Sequence, residues 1–261
     1  MSLVLFETDA HGIATITLND PDRLNAMGEE MAQEVSSLVD SLKSQSAKFR
    51  AIILTGAGRA FSAGGNLEML EKKRELSPEE NKRRMLEFYN SFLCLRDLSV
   101  PLIAAINGHA IGAGLCVACA CDIRVCSQNA KLGFTFTRLG LHPGMGATWF
   151  LPQVIGHAAA MELMLTARIV EGEDVLRLGL ASQLLPAEEV VSVANGIARE
   201  ICSCGPEATR QLLETLRCGS ATMTAALERE AHCQAINYAS DEFAEGVRAG
   251  IEKRKASFSA C

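Results

Sequence analysis

The chain has 261 residues and a formal net charge of −6, with 48% hydrophobic residues, 21% charged residues and a mean hydropathy of +0.14. That length suits one large unit with a sizeable core, and the composition excludes disorder. The negative balance excludes a general attraction to nucleic acid or anionic membranes, so a polyanionic ligand requires a local arrangement of amides and cations.

Taken in order, the opening MSLVLFETD lacks the basic and apolar segments of a signal peptide. No apolar stretch approaches the roughly 20 residues of a membrane span. Ile13 to Leu18 alternates as a half-buried strand does. Gly28 to Ser46 carries Met31, Val35, Leu38, Val39 and Leu42 at three- and four-residue intervals, the stripe of an amphipathic helix. Arg50 to Thr55 and Pro101 to Ile106 read as buried strands. The charge run from Glu71 to Glu75, continued from Pro78 to Arg84, reads as a solvated face or mobile loop, with a substrate gate as the alternative.

After about Ala187 strand signals nearly vanish, and helical periodicity marks Val190 to Cys202, Pro206 to Arg217, Met223 to Tyr238 and Asp241 to Lys255. The expected organisation is an α/β core over residues 1–186 and a helical region over 187–261 of the same unit. The ten cysteines, among them Cys116, Cys119, Cys121, Cys126, Cys202 and Cys204, do not form the two C-x-x-C pairs of a zinc site. Free thiols packed as small hydrophobes in a reducing compartment are expected, with a reactive thiol at Cys116 as the alternative. A soluble, cytoplasmic protein follows, and the terminal SFSAC lacks the short peroxisomal address. No metal or redox cofactor is called for.

Chemistry concentrates in two glycine-rich segments, Phe61-Ser-Ala-Gly-Gly-Asn-Leu67 and Asn107-Gly-His-Ala-Ile-Gly-Ala-Gly-Leu115, each following a predicted buried strand. Glycine permits sharp turns and close backbone approach, and amides at a following helix N-terminus point at incoming negative charge. Neither segment has the dinucleotide G-x-G-x-x-G spacing or the G-K-S/T of a phosphate loop, which disfavours a nicotinamide-dependent oxidoreductase. A G-x-S-x-G elbow is also absent. As isolated glycine turns they are equally compatible with a purely structural role.

Six segments together resemble the crotonase, or enoyl-CoA hydratase/isomerase, superfamily. They are Pro21-Asp-Arg-Leu-Asn-Ala26, the FSAGGNL turn, Pro101 to Gly114, Cys121-Asp-Ile123, Leu139-Gly-Leu-His-Pro-Gly144 and Ala167 to Leu180. The resemblance implies a crotonase-like ββα spiral followed by C-terminal helices that assemble homotrimers or homohexamers. It implies an acyl-CoA thioester substrate, with coenzyme A arriving as part of that substrate. An oxyanion hole is implied at the amides of Gly65 and Ala113, and CoA binding near Arg23 and along Ala63, Gly64, Gly65, Asn66 and Leu67.

The resemblance also marks departures. The two glutamates that orient and deprotonate water in the family's hydratases fall at Cys116 and Phe136, and an aspartate of several isomerases falls at Gly144. A phenylalanine accepts no proton, and an apolar thiol is a poor base at neutral pH. His142 is then the main titratable candidate for catalysis, with loop capping as its alternative. His109 is expected to be structural and Glu68 exposed at a helix start. The expectations are a family enzyme without the usual acids, an acyl-thioester decarboxylase of the same fold, to which Pro143 to Thr148 also bears a short likeness, or a non-catalytic acyl-CoA binder.

Overall fold

The computed structural model describes residues 2–45 and 48–258. Ser46, the expected last residue of the first helix, and the terminal Ser259 to Cys261 lie outside them.

The chain repeats one step three times: a strand in a first sheet, a short turn, a strand in a second sheet, then a helix. Among the described residues the first sheet has six strands, in the order β1 (Val4–Thr8), β2 (Ile13–Leu18), β3 (Ala51–Gly56), β5 (Leu102–Ile106), β7 (Ile123–Ser127) and β10 (Gln183–Leu185). The second has four, β4 (Ala60–Ser62), β6 (His109–Ile111), β8 (Leu132–Gly133) and β9 (Ile169–Val170). Strands β3, β5 and β7 run parallel, with Ile53 opposite Ile103 and Ile103 opposite Ile123. Their continuations β4, β6 and β8 are parallel as well.

Asn107 fixes the corner between the sheets. Its Nδ2 donates to the carbonyls of Gly56 (2.8 Å) and Gly58 (3.0 Å), and its Oδ1 accepts from the Gly56 amide at 3.2 Å.

The central strands read as unbroken apolar runs because both faces of the sheet are covered. Ile52 and Leu54 join a large core that includes Val35, Val39 and Leu42 of α1 (Glu29–Lys43). Ile53, Ile103 and Val125 point the other way, onto Val190, Ala194 and Ala198 of α8 (Val190–Cys202). The helix expected to open the C-terminal region therefore caps the spiral's own sheet.

Three more helices follow as expected, α9 (Pro206–Cys218), α10 (Met223–Tyr238) and α11 (Asp241–Glu252). Arg217 ties α9 to the spiral. Its Nε and Nη2 donate to the two Asp122 carboxylate oxygens at 2.9 and 2.6 Å, and its Nη1 donates to the Arg96 and Leu98 carbonyls.

The charge run is helical instead of a loop. It forms α2 (Leu67–Lys72), a 3-10 turn at Lys73–Glu75 and α3 (Pro78–Leu93). Ser77 accepts from the Glu80 amide and Pro78 opens the helix, so α3 starts from a sound cap. Its opposite face buries Phe88 and Phe92, which anchors a helix whose first two turns are almost wholly charged.

Candidate active site

The two glycine-rich turns meet. After β4, Gly64 takes φ +88°, its carbonyl accepts from Met27 N (2.7 Å) and its amide donates to Ser62 Oγ (3.1 Å). The Asn66 amide bonds the Met27 carbonyl, and Asn66 Oδ1 accepts from Met69 N at 3.0 Å, capping α2. In the second turn, Gly112 caps α4 (Ala113–Ala120) at φ 53° and ψ −121°, a conformation a side chain would strain.

A Cβ added at Gly64 would overlap the Ile111 carbonyl and lie 3.3 Å from Ala113 N; one at Gly114 would lie 2.7 Å from the Ser62 carbonyl oxygen. Glycine is needed here for close approach as well as for turning. The amides of Gly65 and Ala113 donate to no described residue.

Both residues line one cavity of about 960 Å³. Its inner wall is apolar, with Met85, Phe88, Ile111, Phe136 and Met145, and its rim carries Arg23, Lys73, Arg74, Arg138 and His142. Among the described residues no cluster of three or more side chains has the make-up of a metal site.

A sequence model of the family described as enoyl-CoA hydratase/isomerase matches residues 8–260. The chain belongs to this family. The short-chain-enoyl-CoA hydratase of Clostridium acetobutylicum is 31% identical, with 93% of this chain and 92% of that protein covered. Among solved structures, an enoyl-CoA hydratase from Bacillus anthracis superposes with a TM-score of 0.92 at 29% identity, covering 99% of this chain and all of the other. One from Polaromonas sp. JS666 gives 0.91 at 27% identity, with 98% and 99% covered. The crotonase-type α/β fold read from the motifs is the fold observed.

In this family member the residues singled out by sequence converge unevenly. Ala63, Gly65, Asn66, Leu67 and Ala113 line the cavity, whereas Gly64 lies behind the turn with its amide and carbonyl both bonded internally. Arg23 stands at the rim, paired to Asp20 at 2.8 Å. His142 is exposed there, with Nδ1 2.8 Å from the Pro143 carbonyl oxygen. Glu68 is exposed in the first turn of α2, and His109 Nδ1 accepts from the Lys131 amide at 3.0 Å, across the neighbouring strand connection.

The three positions that lack acids differ from one another. Cys116 is fully buried beneath the cavity wall, and burial pushes its thiol well above the ordinary range, so a reactive thiolate there is unfavourable. The Phe136 ring faces the second turn, its Cζ 3.9 Å from where a Gly112 Cβ would be. Gly144 has an ordinary φ, yet a side chain there would collide with the Tyr89 hydroxyl and lie 2.8 Å from Tyr89 Cζ.

Sequence reasoning did not single out α3, which supplies Met85, Phe88 and Tyr89 to the cavity. The signals were present. Ser77-Pro78-x-Glu80 is a helix start, and Met85, Phe88, Tyr89 and Phe92 recur at helical spacing.

Proposed function

We propose that the protein is an acyl-CoA enzyme that stabilises a thioester enolate between the amides of Gly65 and Ala113, without the two-glutamate hydration mechanism. The observation that carries this reading is the meeting of the two turns. Two unspent amides from different strand–turn units face one largely apolar cavity, where hydrogen bonds to a developing oxyanion are strong and need no reorganisation. One such donor contributes about 2.7–4 kcal/mol to a transition state.

Lys73, Arg74 and Arg138 join Arg23 around the mouth. They supply the local cations that a polyanionic CoA requires on a chain of net charge −6. Membership of a family whose relatives are named enoyl-CoA hydratases supports the same substrate class.

Decarboxylation of a malonyl- or glutaconyl-type thioester is the reaction class these residues favour. Loss of CO2 creates the enolate directly, so no carboxylate is needed to remove a proton. The phenyl ring of Phe136 and the enclosed thiol of Cys116 suit that step better than hydration of a double bond.

Incubation with crotonyl-CoA, methylglutaconyl-CoA and a malonyl-type thioester separates the cases. CO2 release is the expected result, fast hydration of crotonyl-CoA would contradict it, and binding without turnover would leave an acyl-CoA binder. Self-association is part of the reading. Helices α9 to α11 expose Leu212, Leu216, Met223, Leu227, Phe243 and Ile251, and sedimentation at micromolar concentration should give a mass above the monomer's 28.0 kDa.

A further inference from the structure

Tyr89 stands out among the groups that line the cavity. It projects from the fourth turn of α3 and is half-buried, and its hydroxyl makes no hydrogen bond to any described residue. The hydroxyl is not among the buried polar atoms without a partner, so it stays open to the cavity space and is available to a ligand there. Tyr89 lines the same cavity as Gly65 and Ala113, and its hydroxyl fills the space in front of Gly144, the volume that a side chain at position 144 would occupy.

Three titratable groups singled out by the sequence stand elsewhere. His142 and Glu68 are exposed at the rim, and the Cys116 thiol is sealed from the cavity. We propose that the Tyr89 hydroxyl delivers the proton to the α-carbon of the enolate left when a thioester bearing a carboxylate on that carbon loses CO2. This inference rests on the enolate site at Gly65 and Ala113.

In the step, the bond from the α-carbon to the carboxylate breaks and CO2 leaves. The electron pair passes through the new carbon–carbon double bond onto the thioester oxygen between the two amides. The pair then returns, the α-carbon takes the proton of Tyr89 Oη, and the phenolate regains a proton from water at the cavity mouth. One proton is consumed overall. Burial lifts the phenol above its ordinary range, so it holds that proton at neutral pH and remains far more acidic than the carbon it protonates.

The same packing explains Gly144. Its backbone would accept a side chain, but Tyr89 occupies the volume. The glycine is the partner of the tyrosine.

The test uses the full-length protein, methylmalonyl-CoA and D2O, comparing wild type with Tyr89→Phe. Wild type should release CO2 and place deuterium on one face of C2 of the propionyl-CoA formed. Tyr89→Phe should lose about 10²-fold or more in kcat, within the range of positioned acid catalysis, and scatter the deuterium over both faces. Its KM should stay close to wild type, which also shows that the pocket is intact.

Unchanged kcat and stereochemistry would overturn the proposal. A slower reaction that keeps the deuterium on one face would make Tyr89 a positioning residue and overturn the donor role. Wild-type binding of methylmalonyl-CoA without CO2 release would also overturn it while leaving the acyl-CoA reading in place. Failure to bind any acyl-CoA would remove both.

Discussion

On one side of the cavity stand the backbone amides of Gly65 and Ala113, the donors of the proposed enolate site; on the other, Phe136 lines the wall and Tyr89 fills the space in front of Gly144, and neither offers a carboxylate. The amide side is over-determined. Gly64, Gly112 and Gly114 each sit where a Cβ would strain the backbone or strike the neighbouring turn, so its geometry follows from the spiral itself. The facing side depends on single residues that can change without disturbing the strands. In the proposed site the means of stabilising an enolate is set by the spiral while the means of moving a proton rests on single side chains, which is a physical reason to read reaction type from the second wall.

The largest predicted effect removes an amide. Ala113 is the first residue of α4, a position where proline is tolerated because its N–H has no helical partner. Ala113→Pro should therefore keep the fold, checked by circular dichroism, and lower kcat by about 10²–10³-fold. Retention of full activity would show that the second turn contributes no donor.

A smaller effect comes from adding a carboxylate to the facing wall. Phe136→Glu should raise crotonyl-CoA hydration by at least about tenfold, a fraction of what a positioned acid–base group supplies. Adding Cys116→Glu should cost about 2–3 kcal/mol in urea denaturation, because position 116 is fully enclosed and a carboxylate there has no solvent. The smallest effect is expected at the rim. His142→Ala should change kcat by less than about threefold, far below the range of positioned acid–base catalysis, and a hundredfold loss would move proton transfer from Tyr89 to the histidine.

Much of this was legible in the sequence, for local reasons. Strand β2 is Ile13 to Leu18 as expected, and the C-terminal helices begin where predicted, because the periodicity, Pro206 and the serine and threonine caps are short-range signals. The two glycine turns were legible because glycine at these spacings has few other uses.

Two features were not. The α3 helix was hidden by its charged first half, whose exposed face says nothing of the Phe88 and Phe92 anchor. The pairing of Tyr89 with Gly144 joins residues 55 positions apart, and only the folded chain shows that a loop position read as vacant is filled from α3.

The most direct test of the account is the structure of the protein with a non-reactive acyl-CoA thioether or thioester analogue that retains the carbonyl oxygen. The account predicts that oxygen at about 2.7–3.1 Å from both the Gly65 and Ala113 amide nitrogens. A carbonyl oxygen beyond hydrogen-bond distance of both amides would contradict it.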